Sequence, residues 1–259
     1  MMNMNKKIFV LLPAFNEEQN LKYLIPKLFN ILNKFTEKNK YDFEIVVIDD
    51  GSTDNTYFVI KKFQEKFGKE RIIIIQHERN LGLGMALKSG ITYCLLTTPT
   101  EKLDDVVIIT MDADGTHDPA YIPEMVKKIY HGYDIVIASR YIRGGAQICV
   151  PLFRRILSRI VNYMLKIRFR LPVFDATSGF RAIRGSVLWR VFKRYGENLV
   201  KSSEFDAMFE ILLKCSRFTD KIIEIPLCLD YSKKSGRSKL RIFRVIVKYL
   251  RILFLSPAN

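Results

Sequence analysis

Two carboxylate clusters carry the most chemistry in this chain, Asp49-Asp50-Gly51-Ser52-Thr53-Asp54 and Asp112-Ala113-Asp114-Gly115-Thr116-His117. Each follows a Val/Ile-rich run, Glu44 to Ile48 and Val106 to Met111. Carboxylates two residues apart at the end of a buried segment repel and are costly without a counter-charge. A divalent cation shared with substrate phosphates supplies one, and an all-oxygen donor set suits Mg2+ or Mn2+ better than zinc. Asp112 and Asp114 are therefore read as a metal and diphosphate site. Ser52 or Thr53 can cap the helix after the first cluster, but capping does not explain two adjacent carboxylates, so Asp50 is read as a ligand residue. His117 fits a satisfied turn residue as readily as a ligand. The Gly82 and Gly84 pair lets backbone approach a ligand or another element closely. Asn16, after the run Ile8 to Leu12, is placed to cap a helix with Gln19 as its box partner.

Elements of one kind must position these groups. The runs Ile8 to Leu12, Glu44 to Ile48, Ile72 to Ile75, Val106 to Met111 and Ile135 to Ala138 are continuous rather than alternating, as in strands covered on both faces. Helical patterns lie between them, at Gln19 to Asn33, Thr53 to Phe67, Leu83 to Leu96 and Pro119 to Tyr130. This order predicts an α/β fold with a mostly parallel sheet, right-handed crossovers and helices on both faces. In such sheets ligands gather outside the carboxyl ends of the strands, where both clusters fall. Further on, Glu204 and Asp206 open a helix toward Cys215, and Ile222 to Tyr231, with Pro226 inside, reads as an edge strand. Asp175 and Arg181 flank Ser178-Gly179-Phe180, a tight turn that Asp175 can cap. Lys233 to Lys239 reads as a polar loop suited to closing over phosphates.

Composition narrows the partners. The chain has 259 residues, 48% of them apolar and 27% charged, enough for a full core. Its formal net charge of +15 points to an anionic partner. That charge is local: six basic residues and no acid lie between Pro151 and Leu171, and eight more, again without an acid, between Lys233 and the end. From Leu152 to Lys166 the residues Arg155, Arg159, Asn162 and Lys166 line one helical face, with apolar residues filling the rest. From Arg241 to Leu255 the basic stripe is Arg241, Arg244, Lys248 and Arg251. A broad apolar arc with a purely basic stripe is the pattern of helices lying in a membrane interface. Four cysteines without a CxxC pair and only three histidines argue against structural zinc and fit a reducing compartment. The N-terminal apolar run is too short for a signal peptide, and no stretch is long enough to span a bilayer. The expected location is cytoplasmic, peripheral to a membrane's cytoplasmic face.

PAFNEEQN, VVIDDGSTDNT, RNLGLGMAL, MDADGTH, IASRYIRGG, DATSGFRA and SGRSKL, in this order, resemble glycosyltransferase family 2. More narrowly they resemble its dolichyl-phosphate mannosyltransferase, or polyprenyl-phosphate hexosyltransferase, branch. The resemblance runs from about Lys7 to Leu240 and implies a GT-A, Rossmann-like catalytic domain over residues 7–240, followed by a basic amphipathic helix over 241–259. It implies that Pro13, Phe15, Glu17, Ile48 and Asp50 hold the donor nucleotide, that Asp112 and Ala113 continue that surface, and that Asp114 holds Mg2+ or Mn2+ on the diphosphate. Arg140, Lys233 and Lys239 match basic positions that contact phosphates of donor or acceptor, and Asp175 lies in a loop near the reacting centre. Three positions depart from the pattern: Thr116 replaces a common Gln near the metal and can act through water, Lys233 replaces Arg and so loses the bidentate fork, and Phe15 replaces Tyr.

The implied reaction is inverting transfer of a hexose, mannose before glucose, from a nucleoside diphosphate sugar, GDP-mannose before a UDP-sugar, to dolichyl or another polyprenyl phosphate. The implied partners are the lipid phosphate and an anionic membrane surface or a small membrane subunit. A transferase of the same fold acting on a saccharide or glycolipid hydroxyl is the alternative, and it would need a carboxylate base. Nucleic-acid binding is disfavoured because the basic segments lack interleaved exposed aromatics or a recognition-helix context. NAD chemistry is disfavoured because PAFNEE, not a glycine fingerprint, follows the first strand.

Overall fold

A computed structural model describes residues 6–204 and 206–233. Four strand-helix units and a fifth strand open the chain: β1 (Lys7–Ala14), α1 (Glu18–Asn39), β2 (Asp42–Asp49), α2 (Thr56–Phe67), β3 (Ile72–Gln76), α3 (Leu83–Leu96), β4 (Val106–Thr110), α4 (Ile122–Tyr130) and β5 (Ile135–Ser139). There follow β6 (Ala146–Ile148), α5 (Leu152–Phe169), β7 (Arg181–Arg184), α6 (Gly185–Tyr195), α7 (Ala207–Cys215), β8 (Ile222–Pro226) and β9 (Cys228–Asp230). The main sheet has seven strands in the order β3-β2-β1-β4-β7-β5-β8. All its pairings are parallel except those of β7, which runs antiparallel to β4 and β5. This is the expected α/β, GT-A-like architecture; the basic helix expected over 241–259 lies outside the described residues.

The continuous apolar runs have their physical reason in the two cores. Phe9, Leu11, Val46, Ile48 and Ile108 face α3, α6 and α7 on one side of the sheet. Ile8, Val10, Leu12, Ile45, Val47, Val107 and Ile109 face α1, α2 and α4 on the other. Alternate side chains of one strand thus enter different cores, and neither set can be polar. β8 is an edge strand as read, with Pro226 opposite Ser139, a place where a missing N–H does little harm. The chain then crosses to pair β9 with β6 in a separate two-stranded sheet.

β1, β2, β4 and β5 point the same way, so Ala14, Asp49, Thr110 and Ser139 end at one edge of the sheet. Because β7 runs the other way, its first residue, Arg181, and the turn before it reach that same edge. Register therefore gathers segments more than 100 residues apart in sequence: Phe15 to Glu17, Asp50, Asp112 to His117, Arg140 and Thr177 to Gly179.

Candidate functional site

These segments surround a cavity of about 580 Å³. Pro13, Phe15, Glu17, Asp50, Asp112, Ala113, Asp114, Thr116 and Arg140 all line it. Ile48 does not: its side chain is fully buried against α3, its Cδ1 only 2.9 Å from the position a Cβ on Gly90 would take, closer than van der Waals contact. Asp175 is also withdrawn, lying behind Arg140. The side chain of Lys233 and the whole of Lys239 lie outside the described residues.

The loops after β1 and β2 are laced together. Asn16 adopts a left-handed φ of 53°, and its Oδ1 accepts the Thr53 N–H at 2.8 Å. Its own N–H donates to Ser52 Oγ at 3.0 Å. The capping expected of Asn16, Ser52 and Thr53 is thereby corrected. Helix α1 has Glu17 at its N-cap and α2 has Asn55, neither with a side-chain cap bond, because the polar side chains are spent joining the two loops. Thr56, at the start of α2, accepts the Glu17 N–H at 2.9 Å. Glu17 and Asp50 are held on one rigid rim.

Asp50 is almost fully buried, and backbone and imidazole nitrogens surround it. Its Oδ1 accepts the Leu81 N–H at 2.9 Å and lies 2.7 Å from His77 Nδ1, while Oδ2 accepts the Gly82 N–H at 2.8 Å. His77 Nε2 sits 2.9 Å from Ser89 Oγ on α3. An acceptor-only carboxylate fixed from three directions can read an N–H on a ligand. The sequence gives His77 no signal beyond its place directly after β3, at the same edge. Gly82 and Gly84 serve close packing: Gly82 has φ of 91°, and a Cβ on Gly84 would lie 1.6 Å from the Ser202 carbonyl oxygen.

The DxD segment is arranged by its own turn. Asp114 Oδ1 accepts from the Thr116 N–H at 3.1 Å and from Thr116 Oγ1 at 2.6 Å. His117 Nδ1 accepts the Asp112 N–H at 3.0 Å, and the ring stacks on Phe180 with centroids 5.1 Å apart. His117 is thus a satisfied turn residue that aims Asp112. Among the described residues no three His, Cys, Asp or Glu side chains converge in a metal cage. Asp112 and Asp114 suit a hard cation of the Mg2+ or Mn2+ kind, which keeps waters and takes one or two carboxylates together with substrate phosphates.

Arg140, directly after β5, lines the same cavity. Its backbone N–H and Nε donate to Asp175 Oδ2 at 2.9 and 2.7 Å, and Nη2 donates to Asp175 Oδ1 at 2.6 Å. Nη2 also donates to Thr177 Oγ1 at 2.9 Å, and Nη1 has no hydrogen bond to the described residues. Burial alone would push the Asp175 carboxyl upward, but the Arg140 guanidinium and its hydrogen bonds outweigh burial and hold it below the usual carboxylate range. The same pairing keeps Arg140 charged against its own burial. Glu224 behaves differently: burial raises its carboxyl although it accepts the Phe174 and Asp175 N–H groups, both at 2.8 Å.

Helix α5 carries the cavity outward. Leu157, Ser158 and Val161 line the cavity, whereas Leu152, Phe153, Ile156, Ile160, Tyr163 and Ile167 form an exposed stripe, with Phe153 69% and Ile156 50% accessible. The expected outer polar face is corrected at Asn162, which is 1% accessible and turned inward. No helix among the described residues is long and apolar enough to cross a membrane.

Residues 9–192 match the model of glycosyl transferase family 2. The chain is 32% identical to an uncharacterized protein of Methanocaldococcus jannaschii over 248 residues, covering 94% of this chain and 91% of that one. It is 31% identical to the dolichol-phosphate mannosyltransferase of Pyrococcus furiosus over 252 residues, covering 96% of this chain but 63% of the longer enzyme. Among solved structures, a mannosyltransferase of Pyrobaculum calidifontis in complex with GDP-Man and Mn2+ superposes with a TM-score of 0.51 at 14% identity, covering 97% of this chain and 71% of that one. That degree of likeness bears on the fold.

Proposed function

We propose that this chain, which belongs to glycosyltransferase family 2 and is a nucleotide-sugar-dependent glycosyltransferase, moves a hexose, mannose in the first instance, from a nucleoside diphosphate sugar to a polyprenyl phosphate. One observation carries the reading: a single cavity is lined both by the carboxylates Asp50, Asp112 and Asp114 and by Arg140 with the apolar residues Leu157 and Val161 of α5. The carboxylates suit a base and a metal-bound diphosphate. Arg140 and the apolar residues suit an anion attached to a hydrocarbon chain. Mannose as the sugar is supported by the similarity to the Pyrococcus enzyme and, at 25% identity, to the polyprenol monophosphomannose synthase of Mycolicibacterium smegmatis.

In this reading Asp50 accepts an N–H of the base and Glu17 stands on the same rim. Asp112 and Asp114 would hold Mg2+ or Mn2+, which when bound neutralises charge on the leaving diphosphate. A phosphate-monoester oxygen of the acceptor attacks the anomeric carbon as the bond from that carbon to the diphosphate oxygen breaks on the opposite face, so configuration inverts. A phosphate monoester is largely dianionic at neutral pH, its second pKa being about 6, and it needs no protein base. Asp175, buried and paired with Arg140, is suited to orienting that arginine and not to taking a proton. Arg140 offsets the repulsion between two anionic substrates, as would Lys233 and Lys239. The exposed apolar stripe of α5, with Arg154, Arg155, Arg159, Lys166 and Arg168 along the same helix and no acid, suits peripheral attachment to the anionic face of a membrane.

The test is incubation of the purified protein with polyprenyl phosphate, Mg2+ or Mn2+, and a panel of labelled nucleotide sugars, followed by lipid extraction. Label from GDP-mannose in an acid-labile lipid phosphate is the expected result. Label appearing only on a sugar or glycolipid hydroxyl would replace this reading with the alternative acceptor class.

A further inference from the structure

We infer that Asn162, on the inner face of α5, is a positioning residue that sets the pose of Arg140 through Thr177; this rests on the reading that Arg140 meets the acceptor phosphate. Asn162 Nδ2 donates to the Ser158 carbonyl of its own helix at 2.8 Å and to Thr177 Oγ1 at 2.9 Å, and its Oδ1 accepts the Thr177 N–H at 3.1 Å. Thr177 Oγ1 accepts from Arg140 Nη2 at 2.9 Å as well, and it faces Asp175 Oδ1 at 3.4 Å. A hydroxyl has one donor and two acceptor sites. Both lone pairs of Thr177 are therefore taken, one by Asn162 and one by Arg140, leaving its hydrogen directed to Asp175. The orientation of this hydroxyl is fixed by the amide, and that orientation leaves Nη2 fully engaged and Nη1 as the guanidinium nitrogen with hydrogens to offer.

A second link joins the same two elements: Tyr141, next to Arg140, donates its hydroxyl to Ser158 Oγ at 2.6 Å, one turn before Asn162. The helix that exposes the apolar stripe is thus tied by side-chain hydrogen bonds to the residue that would meet the acceptor's charge. A buried asparagine that only satisfied its own helix would stop at the Ser158 carbonyl. Two of its three bonds go instead to Thr177, across 15 residues of sequence.

The experiment is steady-state kinetics with GDP-mannose and a polyprenyl phosphate in detergent micelles. It compares wild type with Asn162→Leu, Thr177→Val, the double variant, Thr177→Ser and Arg140→Ala. Asn162→Leu and Thr177→Val should each raise the acceptor KM and lower kcat/KM for the acceptor by roughly tenfold, with donor KM unchanged. The double variant should be no worse than the worse single, since both cut one chain of contacts, and Thr177→Ser, which keeps the hydroxyl, should recover most of the loss. Loss of folded enzyme alone lowers the apparent kcat and leaves both KM values in place, and that pattern would overturn the inference. Should Asn162→Leu fail to fold, Thr177→Val, on a different segment, decides the question on the same readout. Wild-type acceptor kinetics in both variants, with a defect in Arg140→Ala, would overturn the inference alone. Wild-type kinetics in Arg140→Ala would remove the reading beneath it.

Discussion

Replacing Asp175 by Asn isolates the buried pair that holds Arg140 in place. The substitution keeps size and removes charge, leaving Arg140 to face a neutral amide whose NH2 opposes one of its own donors. Asp175 is 0% accessible and the Arg140 side chain 14%, so water cannot replace what is lost. Breaking a buried pair by removing one partner costs about 3–5 kcal/mol, and the opening of Arg140 to the cavity puts this case near the low end, about 3 kcal/mol. At about 2–4 °C per kcal/mol for a chain of this size, the melting temperature at neutral pH should fall by about 6–12 °C.

The pH dependence gives a sharper check. A carboxyl whose folded pKa is depressed contributes stability that is complete above its unfolded value, about 3.9, and is lost as pH falls through the lower folded value. The difference between wild type and Asp175→Asn should hold steady from pH 7 to about 4 and narrow below it. Glu224 on β8 and Arg181 on β7 also face Asp175; both are present in each protein, and only the part of the Glu224 shift that the Asp175 charge itself causes, the smallest of its causes, differs between them. Urea unfolding at several pH values measures it. Equal stability at pH 7, or a gap that stays constant into acid, would refute the claim that this pair is ionised and load-carrying.

Three further outcomes are expected. Asp114→Ala should lower transfer by roughly 10³-fold with the circular dichroism spectrum unchanged, and chelation of the wild type should do the same reversibly; activity in chelator equal to that in Mg2+ or Mn2+ would remove the metal. His77→Leu takes away one of the three nitrogens around Asp50 and should weaken donor nucleotide binding by roughly tenfold in calorimetry, with acceptor KM unaffected. The double substitution Ile156→Glu and Ile160→Glu should reduce sedimentation with anionic liposomes while stability in solution changes by less than about 1 kcal/mol, since both side chains are exposed; unchanged sedimentation would assign the stripe another role.

The strands and the DxD segment were legible because their signals are local. A strand covered on both faces has to read as a continuous apolar run, and a carboxylate pair just past it has few structural uses. β7 was not legible, since Arg181–Arg184 is four residues long with arginine at each end, and its place between β4 and β5 is a pairing across more than 40 residues of sequence. The Arg140 and Asp175 pairing hid for the same reason: each residue explains itself locally, one as a loop cation and the other as a turn cap. The roles of Asn16 and Asn162 were misread because a helical wheel or a capping box assigns side chains by spacing, whereas the fold offered each amide a better partner on another segment.

Helix α5 shows where that kind of reasoning fails and what replaces it. An ordinary surface helix is held by its apolar face, and its position follows from burial. Here only Asn162 and Leu165 of its 18 residues are fully buried; Val161, Met164 and Phe169 pack partly buried against the core, while Leu152, Phe153, Ile156, Ile160, Tyr163 and Ile167 stay exposed. This apolar anchor lies in the C-terminal half of the helix, where one fully buried leucine contributes about 2 kcal/mol, and it leaves the N-terminal half with little burial. The directional bonds of Asn162 to Thr177 and of Tyr141 to Ser158 add register to that packing, because a hydrogen bond fixes angle and distance where an apolar contact tolerates sliding. Such a helix can give its apolar side to a lipid and still hold its polar side in one pose against Arg140. The inner face holds the surroundings of Arg140 while the outer face stays free, and the proposed transfer to a lipid phosphate would need those two tasks kept apart.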